Sequence, residues 1–134
     1  MKKAVIAMCV VLAGVLGAYG KTNWKKIDAE DLVVDIKKCS PGYVYFDVNS
    51  ILFIGKEKIS VLNEEGKKIG KQEIFRFALF SGTITTYAYI NDTDANKKLV
   101  STVMKIVKRM ADATVYGKVC QLGEGVGIEI MDIK

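Results

Sequence analysis

Four tyrosines alternate with other residues along two stretches of the chain. Tyr43 and Tyr45 do so in one stretch, and Tyr87 and Tyr89 do so in the other. Side chains two positions apart in a strand share one face. If the two strands are neighbours, the four rings form a stacking platform for a sugar, an extended peptide or single-stranded nucleic acid. The alternative is that tyrosine stands there only because it is a good strand former.

The chain contains no histidine. Histidine is the commonest general base and the commonest metal ligand, so its absence excludes serine–histidine–aspartate and cysteine–histidine catalysis. We expect a non-catalytic protein with no catalytic residues and no cofactor. An unusual enzyme that uses carboxylates is the weaker alternative, and it would need a defended cleft.

Two motifs resemble ligand sites but are incomplete. Asp92-x-Asp94-x-Asn96 has the opening spacing of a calcium loop, but Lys97 stands where its glycine belongs and Val103 where its glutamate belongs. These side chains are better suited to capping a helix. The glycine-rich segment 123–127 lies between two predicted strands, whereas a phosphate loop opens a helix. We expect no metal site and no phosphate site.

The first twenty residues have the three parts of a secretory signal peptide. Two lysines precede an uncharged apolar stretch over residues 4–16, and Ala18 and Gly20 place small residues at a cleavage site before Lys21. The apolar stretch is too short to span a bilayer comfortably. We expect export to a bacterial periplasm, with residues 21–134 as one secreted domain. Membrane contact would require that the leader stays uncleaved.

Removal of the leader would turn three cysteines into two, because Cys9 lies within it. Cys39 and Cys120 would then form an even pair in an oxidising compartment, where disulfides persist. A bond between them closes a loop of about 80 residues and is worth about 4 kcal/mol in the chain-entropy picture. Two buried thiols are the alternative, because the sequence does not show whether the side chains meet.

The net charge is +5, and two of the positive charges belong to the leader. Acidic and basic residues are interspersed in the remainder, with no run of five like charges. A mildly basic surface could help to bind an anionic envelope polymer. Solubility alone is the simpler interpretation, and we expect no nucleic-acid partner for an exported protein.

Hydrophobic patterns predict a chain of strands with one helix. The predicted strands are 32–36, 43–54, 59–62, 67–74, 83–90, 115–122 and 126–133. Residues 95–113 predict one amphipathic helix, with an apolar stripe formed by Leu99, Val103, Ile106, Val107 and Met110. The last two strands form a hairpin.

The order of these elements resembles the OB-fold order of three strands, a helix and two strands. That resemblance concerns the order alone, because no motif of an OB-fold family is present. It implies an α+β, mostly β fold built as a small OB-fold-like barrel. A curved antiparallel sheet of about five to six strands with one packed helix is the alternative.

Together these observations predict a secreted binding or accessory protein whose tyrosines meet a glycan or a peptide. The alternative is a structural, assembly or inhibitory protein of the cell envelope that acts through a strand edge or a loop. In that case the tyrosines are incidental. The sequence sets neither the identity of the ligand nor the oligomeric state.

Overall fold

Seven strands between residues 23 and 134 form one open, mixed sheet. The computed structural model describes residues 5–7, 23–63, 65–122 and 125–134. Its elements are β1 (Val5–Ala7), β2 (Lys25–Lys26), α1 (Asp31–Val34), a 3-10 segment (Ile36–Cys39), β3 (Tyr43–Val48), β4 (Ser50–Leu62), β5 (Lys68–Ser81), β6 (Ile84–Asn91), a 3-10 turn (Asp94–Asn96), α2 (Lys97–Arg109), β7 (Ala113–Leu122) and β8 (Gly125–Ile133). The seven strands are ordered β4-β5-β6-β8-β7-β3-β2.

The sheet is mixed because β6 pairs in parallel with β8, and β2 in parallel with β3. The helix α2 connects β6 to β7, and β7 runs antiparallel to β8. It follows that β6 ends and β7 begins at the same end of the sheet. The connection through α2 therefore returns the chain to the end of the sheet where β6 stops, and does not cross over to the opposite end. One strand position beside β6 is left open by this connection, and β8 fills it.

The strand β1 lies between the tips of β4 and β7. It pairs in parallel with Ser60 and Val61 of β4, and antiparallel with Gln121 and Leu122 of β7. Each ladder is two residues long, so β1 joins only the tips and does not close a barrel. The predicted OB-fold-like barrel is therefore wrong, and so is a purely antiparallel sheet. The α+β, mostly β class is confirmed.

The main core lies on the face of the sheet that α2 covers, here called the helix face. Val103 of α2 is fully buried there. Other apolar residues of the helix pack against the sheet, namely Leu99, Val100, Met104, Ile106 and Val107. The predicted stripe is thus confirmed except at Met110, which is 80% exposed. Met110 takes a left-handed backbone conformation with φ of 53° and ends the helix.

The predicted strand over residues 32–36 is wrong. This segment is the single turn α1 followed by the 3-10 segment. Leu32 is buried, whereas Val33 and Val34 are exposed, so the burial does not alternate as a strand requires. The Asp31 carboxylate also accepts the backbone N–H of Asp28 at 3.1 Å, which favours a turn.

The predicted strand over residues 43–54 is two strands that meet at Asn49. Its backbone N–H donates to the Phe80 carbonyl at 2.7 Å, and its side-chain oxygen accepts the N–H of Gly82 at 2.6 Å. The Ser81 hydroxyl donates to the Asp47 carbonyl at 2.8 Å. These bonds hold a corner through which the chain passes from β3 to β4. The polar alternation continues through Asn49, so the pattern does not reveal the corner.

Gly117 of β7 lies where a side chain has no room. A Cβ built there would contact Cγ2 of Ile128 and lie 2.7 Å from the carbonyl oxygen of Glu129. We expect Gly117→Ala to lower the free energy of unfolding by about 2–3 kcal/mol, as overpacking does. Urea denaturation measures the loss.

Gly66→Ala is the matched control for this substitution. Gly66 has φ of +81° and open space around its Cα. Alanine there should lower the free energy of unfolding by only about 1 kcal/mol, because its sole cost is the left-handed backbone conformation. A loss at Gly117 no larger than the loss at Gly66 would contradict the close approach of β7 and β8.

Candidate binding site

The four predicted tyrosines lie on the face of the sheet opposite α2, here called the tyrosine face. Tyr43 stands opposite Lys118, Lys118 opposite Glu129, and Glu129 opposite Tyr89, across four neighbouring strands. The strands β7 and β8 therefore separate β3 from β6. The two tyrosine pairs share a face but are not cross-strand neighbours.

Exposure divides the four tyrosines further. Tyr43 and Tyr89 are buried at 2% and 0% exposure, Tyr45 is half-buried, and Tyr87 is 46% exposed. The exposed ring of Tyr87 lies over Arg76, with 5.5 Å between the guanidinium carbon and the ring centroid. A contiguous platform of four accessible rings is therefore not formed. Ligand binding by individual tyrosines stays a prediction.

The structure instead assembles an aromatic cluster at β2, β3 and β7. It consists of Trp24, Tyr43, Tyr45 and Tyr116. Tyr45 and Tyr116 stack with ring centroids 5.0 Å apart and planes 16° apart. Trp24 meets Tyr43 and Tyr116 edge-on, at 5.6 and 5.4 Å. Such stacked and edge-on pairs add roughly 0.5–1.5 kcal/mol each beyond the area they bury.

Two members of this cluster were not predicted as site residues. Trp24 lies in a polar stretch and joins the cluster because β2 pairs with β3. Tyr116 joins it because it stands opposite Tyr45 in the β3–β7 ladder. Their aromatic character was the only available indication, since neither pairing is visible in the alternation of the chain.

Lysines pack against two rings of the aromatic cluster. The Lys134 ammonium lies 5.0 Å from the Tyr116 ring centroid, and the Lys118 ammonium lies 5.0 Å from that of Tyr43. A cation over an aromatic face is attracted by the ring quadrupole. Tyr116 is thus surrounded by Trp24, Tyr45 and Lys134. Trp24, Tyr45 and Tyr116 are the half-buried rings of the cluster, and Lys134 covers the ring of Tyr116, which leaves Trp24 and Tyr45 to face a ligand.

A cavity of about 330 Å³, here called the polar pocket, continues from the aromatic cluster along β3 and β7. Asp47 and Thr114 line it and stand one step beyond the Tyr45–Tyr116 pair in the same ladder. The Thr114 hydroxyl donates to the Asp47 carboxylate at 2.8 Å. Its lining residues are Asp47, Val48, Asn49, Asp112, Ala113, Thr114 and Lys134. Carboxylate, amide, hydroxyl and ammonium groups thus stand beside aromatic rings.

A second cavity of about 310 Å³ lies on the other side of Asp47. Lys26, Asp28, Glu30 and Ser81 are among the residues that line it. Asp47 therefore borders both cavities and is exposed to solvent. Polar contacts with a bound molecule are available on either side of this carboxylate.

A row of charged and phenolic side chains crosses the centre of the tyrosine face. Lys118 is 2% exposed and stands opposite Glu129. The Tyr89 hydroxyl donates to Glu129 at 3.3 Å, and the row continues to Arg76, which pairs with Glu57 at 3.2 Å. Neither described cavity is lined by Glu129. This buried row therefore separates the aromatic cluster from the β4 side of the sheet.

Burial raises the pKa of the Glu129 carboxyl above its ordinary value. The Tyr89 hydroxyl and the positive charge of Lys118 act in the opposite direction but do not cancel this effect. The folded protein therefore holds the Glu129 proton to a higher pH than the unfolded chain does. Glu129 stands opposite the buried Lys118, so the charge state of the Glu129 carboxyl sets how well the positive charge of Lys118 is compensated.

The structure does not join Cys39 to Cys120. Cys39 belongs to the main core on the helix face, whereas Cys120 belongs to a second buried cluster with Ile59, Ile74 and Tyr89. Burial, reinforced by the Asp31 carboxylate, raises the pKa of the Cys39 thiol. The thiol is therefore protonated and unreactive at neutral pH. The structure thus gives the predicted disulfide no support.

Metal sites and membrane spans can be assessed for the described residues. Within them, no three histidine, cysteine, aspartate or glutamate side chains come together in a way that could hold a metal ion. The helices of that same part of the chain are too short or too polar to cross a bilayer.

Comparisons with protein-family models, with curated proteins and with solved structures find no match to this chain. The functional interpretation therefore depends on the geometry of the aromatic cluster, the polar pocket and the strand edges.

The raised pKa of Glu129 predicts a pH dependence of stability. A carboxyl that is easier to protonate in the folded state stabilises the fold below its unfolded pKa. That contribution is lost as the pH rises through the folded pKa. Above the unfolded pKa of a glutamate we expect the stability of the wild type relative to Glu129→Gln to fall with rising pH, by up to about 1.4 kcal/mol per pH unit, until Glu129 is ionised in the folded state as well.

Urea denaturation at several pH values measures this difference. The substitution also changes the partner of Lys118, but that change shifts the stability difference by a constant and does not alter its slope with pH. Glu65→Gln is the control, because Glu65 is exposed and lies between β4 and β5, outside the buried row. A difference for Glu129→Gln that rises with pH would mean that burial does not dominate.

Proposed function

We propose that this chain is a secreted, non-catalytic binding protein that takes a glycan across the aromatic cluster and the polar pocket. The observation that supports the proposal is their continuity along one ladder of β3 and β7. Tyr45 and Tyr116 form one rung, and Asp47 and Thr114 form the next rung on the same face. Ring faces and hydrogen-bonding groups therefore stand about 7 Å apart along the strand direction.

A glycan suits this combination better than the other ligands of aromatic surfaces. A pyranose ring has a face of C–H groups that stacks on an aromatic ring, and its rim carries hydroxyls. Trp24 and Tyr45 offer the ring surface, and the polar pocket offers acceptors at Asp47 and Asp112 and a donor at Lys134. Single-stranded nucleic acid is disfavoured, because its phosphates would lie against these two carboxylates.

An extended peptide is the other ligand that a tyrosine-bearing face can take. Peptides that add to a sheet do so mainly through backbone groups at a strand edge. The aromatic cluster lies on the face of β3 and β7, where the backbone groups already pair. The face therefore favours the glycan, whereas a peptide partner would pair better with a strand edge.

Tyr45→Ala tests the site. We expect it to weaken binding of N-acetylglucosamine oligomers at least 5-fold, because it removes one stacked ring, and such a ring is worth about 1–3 kcal/mol where a nucleic-acid base stacks on it. Trp24 is the only tryptophan of the chain and lies in the cluster, so its fluorescence reports binding directly.

Tyr87→Ala is the matched control, because Tyr87 shares the face but lies outside the cluster. It should leave binding unchanged. Equal losses from both variants would favour a wider platform over the proposed site. If neither the oligomers nor other envelope glycans change the Trp24 fluorescence, the glycan proposal fails.

Export can be tested independently of any ligand. Expressed with its full sequence in a bacterial host, the protein should appear in the periplasmic fraction with Lys21 as its first residue, as the small residues Ala18 and Gly20 predict. Intact-mass measurement of the purified protein checks this. Substitution of Ala18 by Asp should block processing, and a full-length mass in the wild-type periplasmic protein would contradict cleavage.

A further inference from the structure

The tips of β4 and β7 are linked only through β1 in the described part of the chain. Ser60 and Val61 border this position on one side, and Gln121 and Leu122 border it on the other. Neighbouring strands lie about 4.8 Å apart, so the position between the tips is one strand wide. It is here called the strand slot.

We infer that the strand slot binds an extended, apolar segment of a partner protein. This inference rests on the leader removal proposed above, because β1 belongs to the leader. Once β1 leaves, backbone donors and acceptors of both tips lose their ladders. Unpaired edge groups of this kind are a template for an added strand. A strand that entered would pair with both β4 and β7, as β1 does, rather than with a single edge.

The residues around the strand slot define the chemistry of the incoming segment. A residue opposite Val61 would lie on the tyrosine face, beside the second buried cluster that contains Ile59 and Cys120. That position requires an apolar side chain, because a charge there would be desolvated. The segment would run parallel to β4 and antiparallel to β7.

The neighbouring position adds a polar requirement. Ser60 is 1% exposed, and its hydroxyl is buried with no hydrogen-bond partner in the described structure. An unpaired buried hydroxyl costs about 1–3 kcal/mol. The backbone of β1 lies opposite Ser60 and leaves this hydroxyl unpaired, so a segment that carries a side-chain hydroxyl or amide near Ser60 would satisfy it better. Small or β-branched residues are suited to this edge, as in the Val5-Ile6-Ala7 sequence that occupies it now.

A second copy of the chain is a poorer occupant than another protein. The segment that fits the strand slot, residues 5–7, is lost with the leader in every processed copy. The occupant therefore has to come from a different protein with an exposed, uncharged strand. This requirement matches an assembly role in the cell envelope.

A labelled peptide tests the strand slot in the full chain. The probe is a synthetic peptide of residues 2–8 with a fluorophore at its N-terminus, followed by anisotropy. In the wild-type chain β1 competes at a millimolar effective concentration because it is tethered. Ile6→Pro removes a backbone donor and should vacate the slot. We expect the peptide to bind Ile6→Pro at least 10-fold more tightly than the wild type.

Two controls locate the binding. The same peptide with proline in place of Ile6 should not bind. In the Ile6→Pro chain, Val61→Asp should weaken binding at least 10-fold. Ile69→Asp should not, because Ile69 is 65% exposed and belongs to β5, which lies on the side of β4 opposite the slot. The inference would be overturned if the peptide bound the wild-type and Ile6→Pro chains equally well. It would also be overturned if Val61→Asp and Ile69→Asp weakened peptide binding equally.

A second measurement covers the case in which Ile6→Pro does not fold. Excess peptide with a nitroxide label should broaden the amide signals of Val61 and Leu122 in the processed chain that begins at Lys21, in which β1 no longer competes. Absence of broadening would count against the slot. Neither readout involves Trp24 or Tyr45, so failure of the strand slot and failure of the glycan site are distinguishable.

Discussion

The insertion of β8 between β6 and β7 is the constraint on which the rest of the sheet depends. It follows from the path of α2, which begins and ends at the same end of the sheet. This insertion sets Glu129 between Tyr89 and Lys118. With β7, it also separates the tyrosines of β3 from those of β6 by two strands. Since β8 occupies one edge of β7, β3 takes the other, and Tyr116 then stands beside Tyr45.

The buried row across the tyrosine face shows how that arrangement is held in register. Removing Lys118 and Glu129 from water costs several kcal/mol, and their attraction offsets that cost only if they remain opposite each other. A one-residue slip of β7 would turn Lys118 toward the main core and leave it unpaired there. Gly117 acts with this row, because only a residue without Cβ fits against Ile128 and Glu129. The pair and the glycine therefore select one alignment of β7 and β8.

Local sequence patterns predict the individual helices and strands well, but they do not predict which strands pair with each other. The helix, the strands over residues 59–62 and 67–74 and the closing hairpin depend on periodicity and turn residues within short stretches, and the structure confirms them. The parallel pairing of β6 with β8 depends on the path of α2, which no local pattern records. For the same reason the alternation of the chain predicts Tyr43 and Tyr45 as site residues but not Trp24 and Tyr116, which join the cluster through strand pairing. The strand predicted over residues 32–36 is wrong because its β-branched residues favour strands, whereas the hydrogen bond from Asp28 to the Asp31 carboxylate and the burial of Leu32 favour a turn.

The two proposed surfaces share β7 but use different parts of it. Ala113 to Lys118 pair with β3 beside the aromatic cluster, and Gln121 and Leu122 border the strand slot. From Thr114 to Leu122 the strand extends about 26 Å, and the buried Lys118 row lies between. Occupants of the two surfaces would therefore not collide. Because the row fixes the register of β7, a strand that docks at Leu122 also stabilises the ladder that carries Tyr116.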